Sequence, residues 1–423
     1  MKVIEHIRSS KIFHNLSYTL MANTINQLRG FLLVWTAVKF LSVEAYGELV
    51  LVTFLIGTVV DLSDFGVNVS TTRFTAKYYQ GHDYGRFFST IIYSLKRKLF
   101  AFVFVAIGLG IFSEKVAILI FNNAALENYV YLSIIAIFFG MNAGVINSII
   151  QGKQAFSKML CIAVGTICIV FLLFLALWYA NELDFKGFVF LNIAVAVCSC
   201  SLGTFLIRKD IQRSWKFKYK TKEIRKEFNN FGNWMLIWSI FVIIKSKIDV
   251  LMIAQLATTE QVAYYDLANK FSKPLMLIFS SYGQVLTPMF AGIQSTEKLR
   301  FLVSQTKKSC ASITGILLIG ILLAPYMIEI IVGNGYMESG FLLQMIILSL
   351  VFFVWTMPFN SSLFALNKPF VFSIDTVIGM IVTLLGNYLL IPLWGAEGAA
   401  VTVIMVNIVS LITSAYFYRK FMR

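Results

Sequence analysis

The sequence predicts an all-α integral membrane protein, with about twelve transmembrane helices in two pseudo-symmetric six-helix lobes. Three observations lead there. Hydrophobic residues make up 58% of the 423 residues and charged residues only 13%, about half the charged fraction of a soluble domain. Uncharged runs of about 20 residues, long enough to cross about 30 Å of hydrocarbon, recur along the chain. Basic residues outnumber acidic ones 36 to 21 and gather in alternate loops, as the positive-inside bias places them in cytoplasmic ones.

Taken in order, the first spans fall at about 14–38, 46–76 and 99–113, the third extending back through Phe87–Leu95, with Lys96, Arg97 and Lys98 counted among the inner-segment cations. Three more lie between Glu127 and Lys153, Lys158 and Glu182, and Lys186 and Arg208. The second set is expected at 229–256 and 261–290, then between Lys308 and Glu329, Glu338 and Lys368, Asp375 and Glu397, and Glu397 and Arg419. An even count puts both termini on one face. With the N-terminus inside, the outer loops hold only Lys39, Lys115 and Lys186, so both termini are expected in the cytoplasm. The opening MKVIEHIRSSKIFHNLSY reads as a cytoplasmic lead into span one. It lacks the short apolar core and small-residue cleavage site of a secretory signal.

Between the sets lies RKDIQRSWKFKYKTKEIRKEF, the one long hydrophilic stretch. The expected organisation is therefore an N-terminal lobe at 1–207, a basic cytoplasmic linker at 208–228 and a C-terminal lobe at 229–423. The linker reads either as a solvated connector or as a surface segment. In the second case each cation near anionic lipid contributes about 1 kcal/mol.

Scarcity excludes several chemistries. Cys161, Cys168, Cys198, Cys200 and Cys310 all sit in apolar runs, without a metal-ligand spacing. The three histidines, His6, His14 and His82, form no constellation with Ser, Asp or Cys. No phosphate-binding G-x-x-x-x-G-K-[ST] loop occurs. No cofactor, metal or nucleic acid is expected, and a soluble enzyme is excluded by a mean hydropathy of +0.77.

The halves echo each other. Tyr46-Gly47-Glu48-Leu49 opens span two, and Tyr264-Tyr265-Asp266-Leu267 opens span eight. Asp64-Phe65-Gly66 has a counterpart in Ser281-Tyr282-Gly283, and Arg208-Lys209 one in Arg419-Lys420. A parallel repeat of six spans is a transporter layout that places a substrate site at the repeat interface near the midplane. All six prolines lie in the second half. Pro274 and Pro288 are expected to interrupt span eight, and Pro358 span ten, by removing helix hydrogen bonds.

Eleven charges fall where lipid should be: Arg29, Arg73, Lys245, Lys247, Lys270, Lys273, Asp61, Asp64, Asp249, Asp266 and Asp375. Each costs roughly 3 kcal/mol at a helix centre, so most must face one another or water. Asp61, Asp64 and Asn68, at i, i+3 and i+7, share one face of span two. Asp266, Lys270 and Lys273 do so on span eight, Lys245 and Asp249 on span seven. Asn23, Asn26, Gln27 and Arg29 give span one a polar stripe. Spans seven and eight carry four cations and two acids. A lumen of that sign favours an anion such as a phosphate, which lysine holds as a point charge. Structural ion pairing is the other reading of each residue.

The stretch from Leu41 to Tyr78 resembles the span-two signature of the polysaccharide-transporter branch of the multidrug/oligosaccharidyl-lipid/polysaccharide flippase superfamily. Tyr46-Gly47, Asp64-Phe65-Gly66 and Arg73 occupy the signature positions. The second half is similar through FGNW, Asp249 and Tyr264, and the end through LNKPF and GAEGAA. Wzx-type O-antigen flippases of this branch move undecaprenyl-diphosphate-linked oligosaccharide across the bacterial cytoplasmic (inner) membrane. The resemblance implies alternating access of two lobes driven by a proton or Na⁺ gradient. The diphosphate and sugars would contact Arg29, Lys245, Lys247, Lys270, Lys273 and Asn26. Asp61, Asp64, Asp249 and Asp266 would exchange the ion, with Arg73 in a gating position. Membrane lipid and other polysaccharide-assembly membrane proteins are the implied partners. A cation-coupled multidrug antiporter of the same superfamily is the alternative, distinguished by an acidic lumen. A membrane enzyme of the same sugar pathway would carry a large outer loop, which the spacing of the spans leaves no room for.

Overall fold

A computed structural model describes residues 11–216, 224–225, 228, 247–291, 296–366, 368 and 370–422. Among them the fold is all-α. The first half runs α1 (Lys11–Phe40), α2 (Val43–Leu62), α3 (Val67–Gln80), α4 (Tyr84–Ile111), α5 (Glu127–Gly152), α6 (Phe156–Tyr179) and α7 (Phe185–Lys216). The second runs α8 (247–256), α9 (Thr259–Ala291), α10 (Thr296–Ile331), α11 (Met337–Ala365), α12 (Phe370–Trp394) and α13 (Ala396–Met422). Taking α2 and α3 as one broken span, each half supplies the six expected elements. Lys245 and residues 229–246 of span seven lie outside the described residues.

Among the described residues, eight helical segments are long and apolar enough to cross a membrane. α4 and the following Ser113–Phe121 segment make a further pair, bent by 86°. α1 and α9 have 30 and 33 residues yet fail on composition. They carry the Asn23–Arg29 stripe and the Asp266–Lys273 charges. The spans of lowest hydropathy are thus the ones expected to hold polar chemistry. The protein is a multi-pass membrane protein, and its exposed apolar side chains fit lipid contact. Phe100, Phe104, Leu172, Leu322, Ile330 and Leu393 all project from helices with most of their side-chain surface exposed.

The chain forms two compact units: Met1–Leu41 with Leu51–Ile243, and Ser42–Val50 with Ile244–Arg423. In the first unit α1 packs on α6, α3 on α4 and α5, and α7 on α5 and α6. Its buried cluster joins Val67, Phe74 and Tyr78 of α3 to Phe87, Phe88 and Ile91 of α4 and Val145, Ile146 and Ile149 of α5. Two residues of the basic stretch are seated in the same cluster. Ile224 is 1% exposed and Phe228 0%. The Phe228 ring stacks on Phe74 at 5.7 Å and meets Tyr93 edge-on at 5.2 Å. In the second unit α11 packs on α9, α10 and α13, and α12 on α13. The first turns of α2 belong to this unit.

Two expectations about helix continuity fail. Span two is not one helix, because the chain breaks between Leu62 and Val67. Phe65 and Gly66 take φ of 47° and 69°. Glycine reaches this left-handed region without a Cβ clash, and one such turn ends α2. Conversely, α9 runs unbroken through Pro274 and Pro288, and α11 through Pro358. A proline removes a single backbone donor, and the neighbouring turns carry the helix past the gap.

Candidate functional site: two charged clusters

In the first unit the helix break decides where the acids point. Asp64 is the second residue of the turn, so its carboxylate lies over the start of α3. It accepts the Asn68 backbone N–H at 3.2 Å, where a helix N-terminus favours negative charge. It also accepts the Lys98 ammonium at 2.7 Å. Lys98 has 1% of its side chain exposed and Asp64 16%. One turn along, the hydroxyls of Thr71 and Ser94 meet at 2.7 Å and tie α3 to α4 again. From α5, Gly144 leaves room for the Asn68 amide, which lies within 2.8 Å of where a Cβ would be.

The expectation that Asp61, Asp64 and Asn68 share one face of one helix does not hold, because the break separates them. Asp61 is exposed at the end of α2, and its charge still acts on Lys98. Lys98 itself was grouped by sequence with Lys96 and Arg97 as an inner-loop cation. The signal that places it inside was present: Phe87, Ile91, Ser94 and Lys98 follow the spacing of a buried helix stripe, and all four are buried. Arg73 is exposed on α3, its guanidinium 5.8 Å from the Phe74 ring centroid. On α1, Arg29 is half-buried and Asn26 exposed.

In the second unit three consecutive residues of α9 serve three different neighbours. The Tyr264 ring meets Tyr336 edge-on, with centroids 6.0 Å apart. The Tyr265 hydroxyl donates to Asp249 on α8 at 3.0 Å. Asp266 accepts the Tyr46 hydroxyl at 2.8 Å and pairs with Lys270 at 2.6 Å. Side chains 100° apart on a helix diverge in this way. Lys270 is 24% exposed and Asp266 17%. Lys273, one turn further, is exposed, and the charges acting on it are Asp266, Lys270 and Lys247. The structure therefore brings Lys247, Lys270 and Lys273 into one electrostatic neighbourhood with Asp266.

Asp249 forms a second centre in this unit. Its other oxygen accepts the Asn387 amide of α12 at 2.7 Å. Asn387 is 0% exposed, and its own Oδ1 is buried with no hydrogen-bond partner among the described residues. Sequence reasoning found Asp249 and named Tyr46 only as a motif residue, and it did not find Asn387. An asparagine in the middle of the apolar run after Asp375 was the available sign. Groups of three or more His, Cys, Asp or Glu able to hold a metal are absent among the described residues.

The fold is shared with solved transporters. An inward-facing multidrug-resistance MATE family transporter of the MOP superfamily matches at a TM-score of 0.75 and 15% identity, over 96% of this chain and 98% of that one. The lipid II flippase MurJ in an inward closed conformation matches at 0.71 and 13% identity, over 96% and 87%. A MATE crystal structure in the bent conformation matches at 0.65 and 14% identity, over 100% and 98%. No curated protein matches the chain. The profile of a family described as polysaccharide biosynthesis protein matches residues 12–294, more than half of the chain. The charged, helix-broken span two and the acid-and-lysine α9 both lie inside that match, and the chain belongs to the polysaccharide biosynthesis protein family.

Proposed function

We propose that this protein is a flippase that moves undecaprenyl-diphosphate-linked oligosaccharide across the bacterial cytoplasmic membrane by alternating access, with both termini in the cytoplasm. The observation that carries the reading is the cation excess around Asp266. Lys247 and Lys270 act on Lys273 together with Asp266 there, and a diphosphate brings negative charge to such a lysine cluster. Arg29, Asn26 and Lys245 complete the proposed binding set, with Asp61, Asp64 and Arg73 in ion-coupling or gating roles. Family membership points to polysaccharide biosynthesis, and one protein of the same fold is a lipid II flippase. The other proteins of this fold cited above are multidrug MATE transporters, but a lysine-rich centre repels cationic drugs. Asp249 is the proposed carboxylate that takes up H⁺ or Na⁺, held by the Tyr265 hydroxyl and the buried Asn387 amide nitrogen.

The test is a reconstituted flipping assay with a polyprenyl-diphosphate-linked sugar, paired with a deletion strain. Lipid-linked repeat units should accumulate in the deletion strain. Lys270→Ala and Lys273→Ala should slow flipping at unchanged protein level, and collapsing the ion gradient should slow the wild type. Unchanged flipping in both lysine variants overturns the phosphate role. Unchanged flipping without a gradient overturns the coupling role.

A further inference from the structure

Tyr46 is not one of the charges that attract a phosphate, yet it is fastened to the middle of them. Its side chain is 1% exposed. Its ring meets Tyr336 edge-on at 6.1 Å. The next residue, Gly47, approaches the Thr259 carbonyl so closely that a Cβ there would overlap it. The first turn of α2 is thereby fixed against the first turn of α9, and the Tyr46 hydroxyl has little freedom. It donates to Asp266 Oδ2 at 2.8 Å and accepts from Lys270 Nζ at 3.4 Å. The Lys270 ammonium lies 2.6 Å from the same carboxylate oxygen. One oxygen therefore serves a tyrosine and a lysine at once.

We propose that Tyr46 and Asp266 form a counter-ion seat that sets how tightly Lys270 holds a phosphate group, which makes Tyr46 a positioning residue for anion affinity. The inference rests on the phosphate-binding reading of the lysines. Without ligand, Asp266 compensates Lys270. An arriving diphosphate competes with Asp266 for the ammonium, and Asp266 also repels the bound anion and so speeds its release. The Tyr46 hydrogen bond has the opposite effect. It satisfies part of the carboxylate, weakens its hold on Lys270, and leaves it partnered when the ammonium turns to the phosphate. Removing the hydroxyl should therefore weaken anion binding, and removing the Asp266 charge should strengthen it. Loss of packing alone would weaken binding in both cases.

The experiment uses the full chain in phosphatidylcholine nanodiscs, with equilibrium binding of inorganic pyrophosphate and of farnesyl diphosphate as probes. Pyrophosphate reports the headgroup chemistry alone, and farnesyl diphosphate adds a lipid chain. Asp266→Asn should bind both probes about 5- to 10-fold more tightly and release them more slowly. Tyr46→Phe, which keeps the ring, should bind them about 3-fold more weakly. In the Asp266→Asn background, Tyr46→Phe should add less than about 2-fold, because the two residues act through one carboxylate. Thermal melts of both single variants close to wild type would show that the seat, not the fold, has changed. Shifts of the same sign in the two single variants overturn the proposal, as does a full Tyr46→Phe effect without the Asp266 charge. Wild-type binding by Lys270→Ala defeats the phosphate reading itself. Lost binding in Lys270→Ala with a silent Tyr46→Phe leaves that reading standing and defeats only the seat.

Discussion

Span two and span eight occupy equivalent places in the two halves and solve the same problem in opposite ways. In the first, Asp64-Phe65-Gly66 breaks the helix, and the freed carboxylate turns to Lys98 at 2.7 Å and to the N-terminus of α3. In the second, Ser281-Tyr282-Gly283 stays helical, and Asp266, Lys270 and Lys273 remain on one stripe of α9. The first arrangement is balanced in charge, and its lysine is sealed from every solvent. In the second, Lys270 keeps 24% of its side chain exposed and Lys273 is exposed. Identical residue types thus form a closed pair in one span and a partly exposed cluster in the other, depending on where the backbone breaks.

The strongest way to break this comparison is at Lys98. Lys98→Ala leaves Asp64 without its buried counter-ion and should destabilise the protein by about 3–5 kcal/mol, read as lost thermal stability in detergent. Lys98→Met combined with Asp64→Asn should recover most of the loss, because no uncompensated charge remains. A melting temperature unchanged by Lys98→Ala would mean the pair is not structural.

Next comes the aromatic anchor of the basic stretch. Phe228→Ala should cost about 3 kcal/mol through the cavity left among Phe74, Tyr93 and their neighbours, measured by the same melts. A loss below about 1 kcal/mol would place the ring at a surface.

Lys270→Ala and Lys273→Ala sharpen the other side. Each should weaken pyrophosphate binding by about 10-fold, or about 1.4 kcal/mol, with little change in melting. Adding 0.5 M salt should shrink the difference, because partly exposed charges are screened. Stability losses as large as those at Lys98 would make the two clusters alike after all. The smallest effect belongs to Arg86 and Asp83, an exposed pair 3.6 Å apart. Arg86→Gln should change stability by less than about 0.5 kcal/mol, which calibrates the scale for the rest.

The spans, their order and the repeat were legible because a bilayer demands long apolar helices, and that demand is written in composition. The break at Ser63–Gly66 was less so. A helix face drawn through Asp61, Asp64 and Asn68 assumes continuity, and one left-handed glycine step undoes it. The glycine of the Asp-x-Gly motif was the clue, and it was read as a signature rather than as a turn. Lys98 was misread because three adjacent cations look like a loop, although the buried spacing from Phe87 onward runs straight through it. Phe228 was hidden in a segment named for its charge, where Ile224 and Phe228 at i and i+4 carry the apolar stripe. The role of Tyr46, named only as a motif residue, and Asn387 itself were missed for a different reason. Uncharged residues enter no charge count, and their roles come from contacts 220 and 138 residues away in the chain.

The Lys98–Asp64 pair also bears on how this protein is made. A growing chain enters the membrane a helix at a time, and a lone acid or a lone lysine in lipid costs roughly 3 kcal/mol. α3 and α4 therefore gain by partitioning together as a hairpin, each neutralising the other before either meets acyl chains.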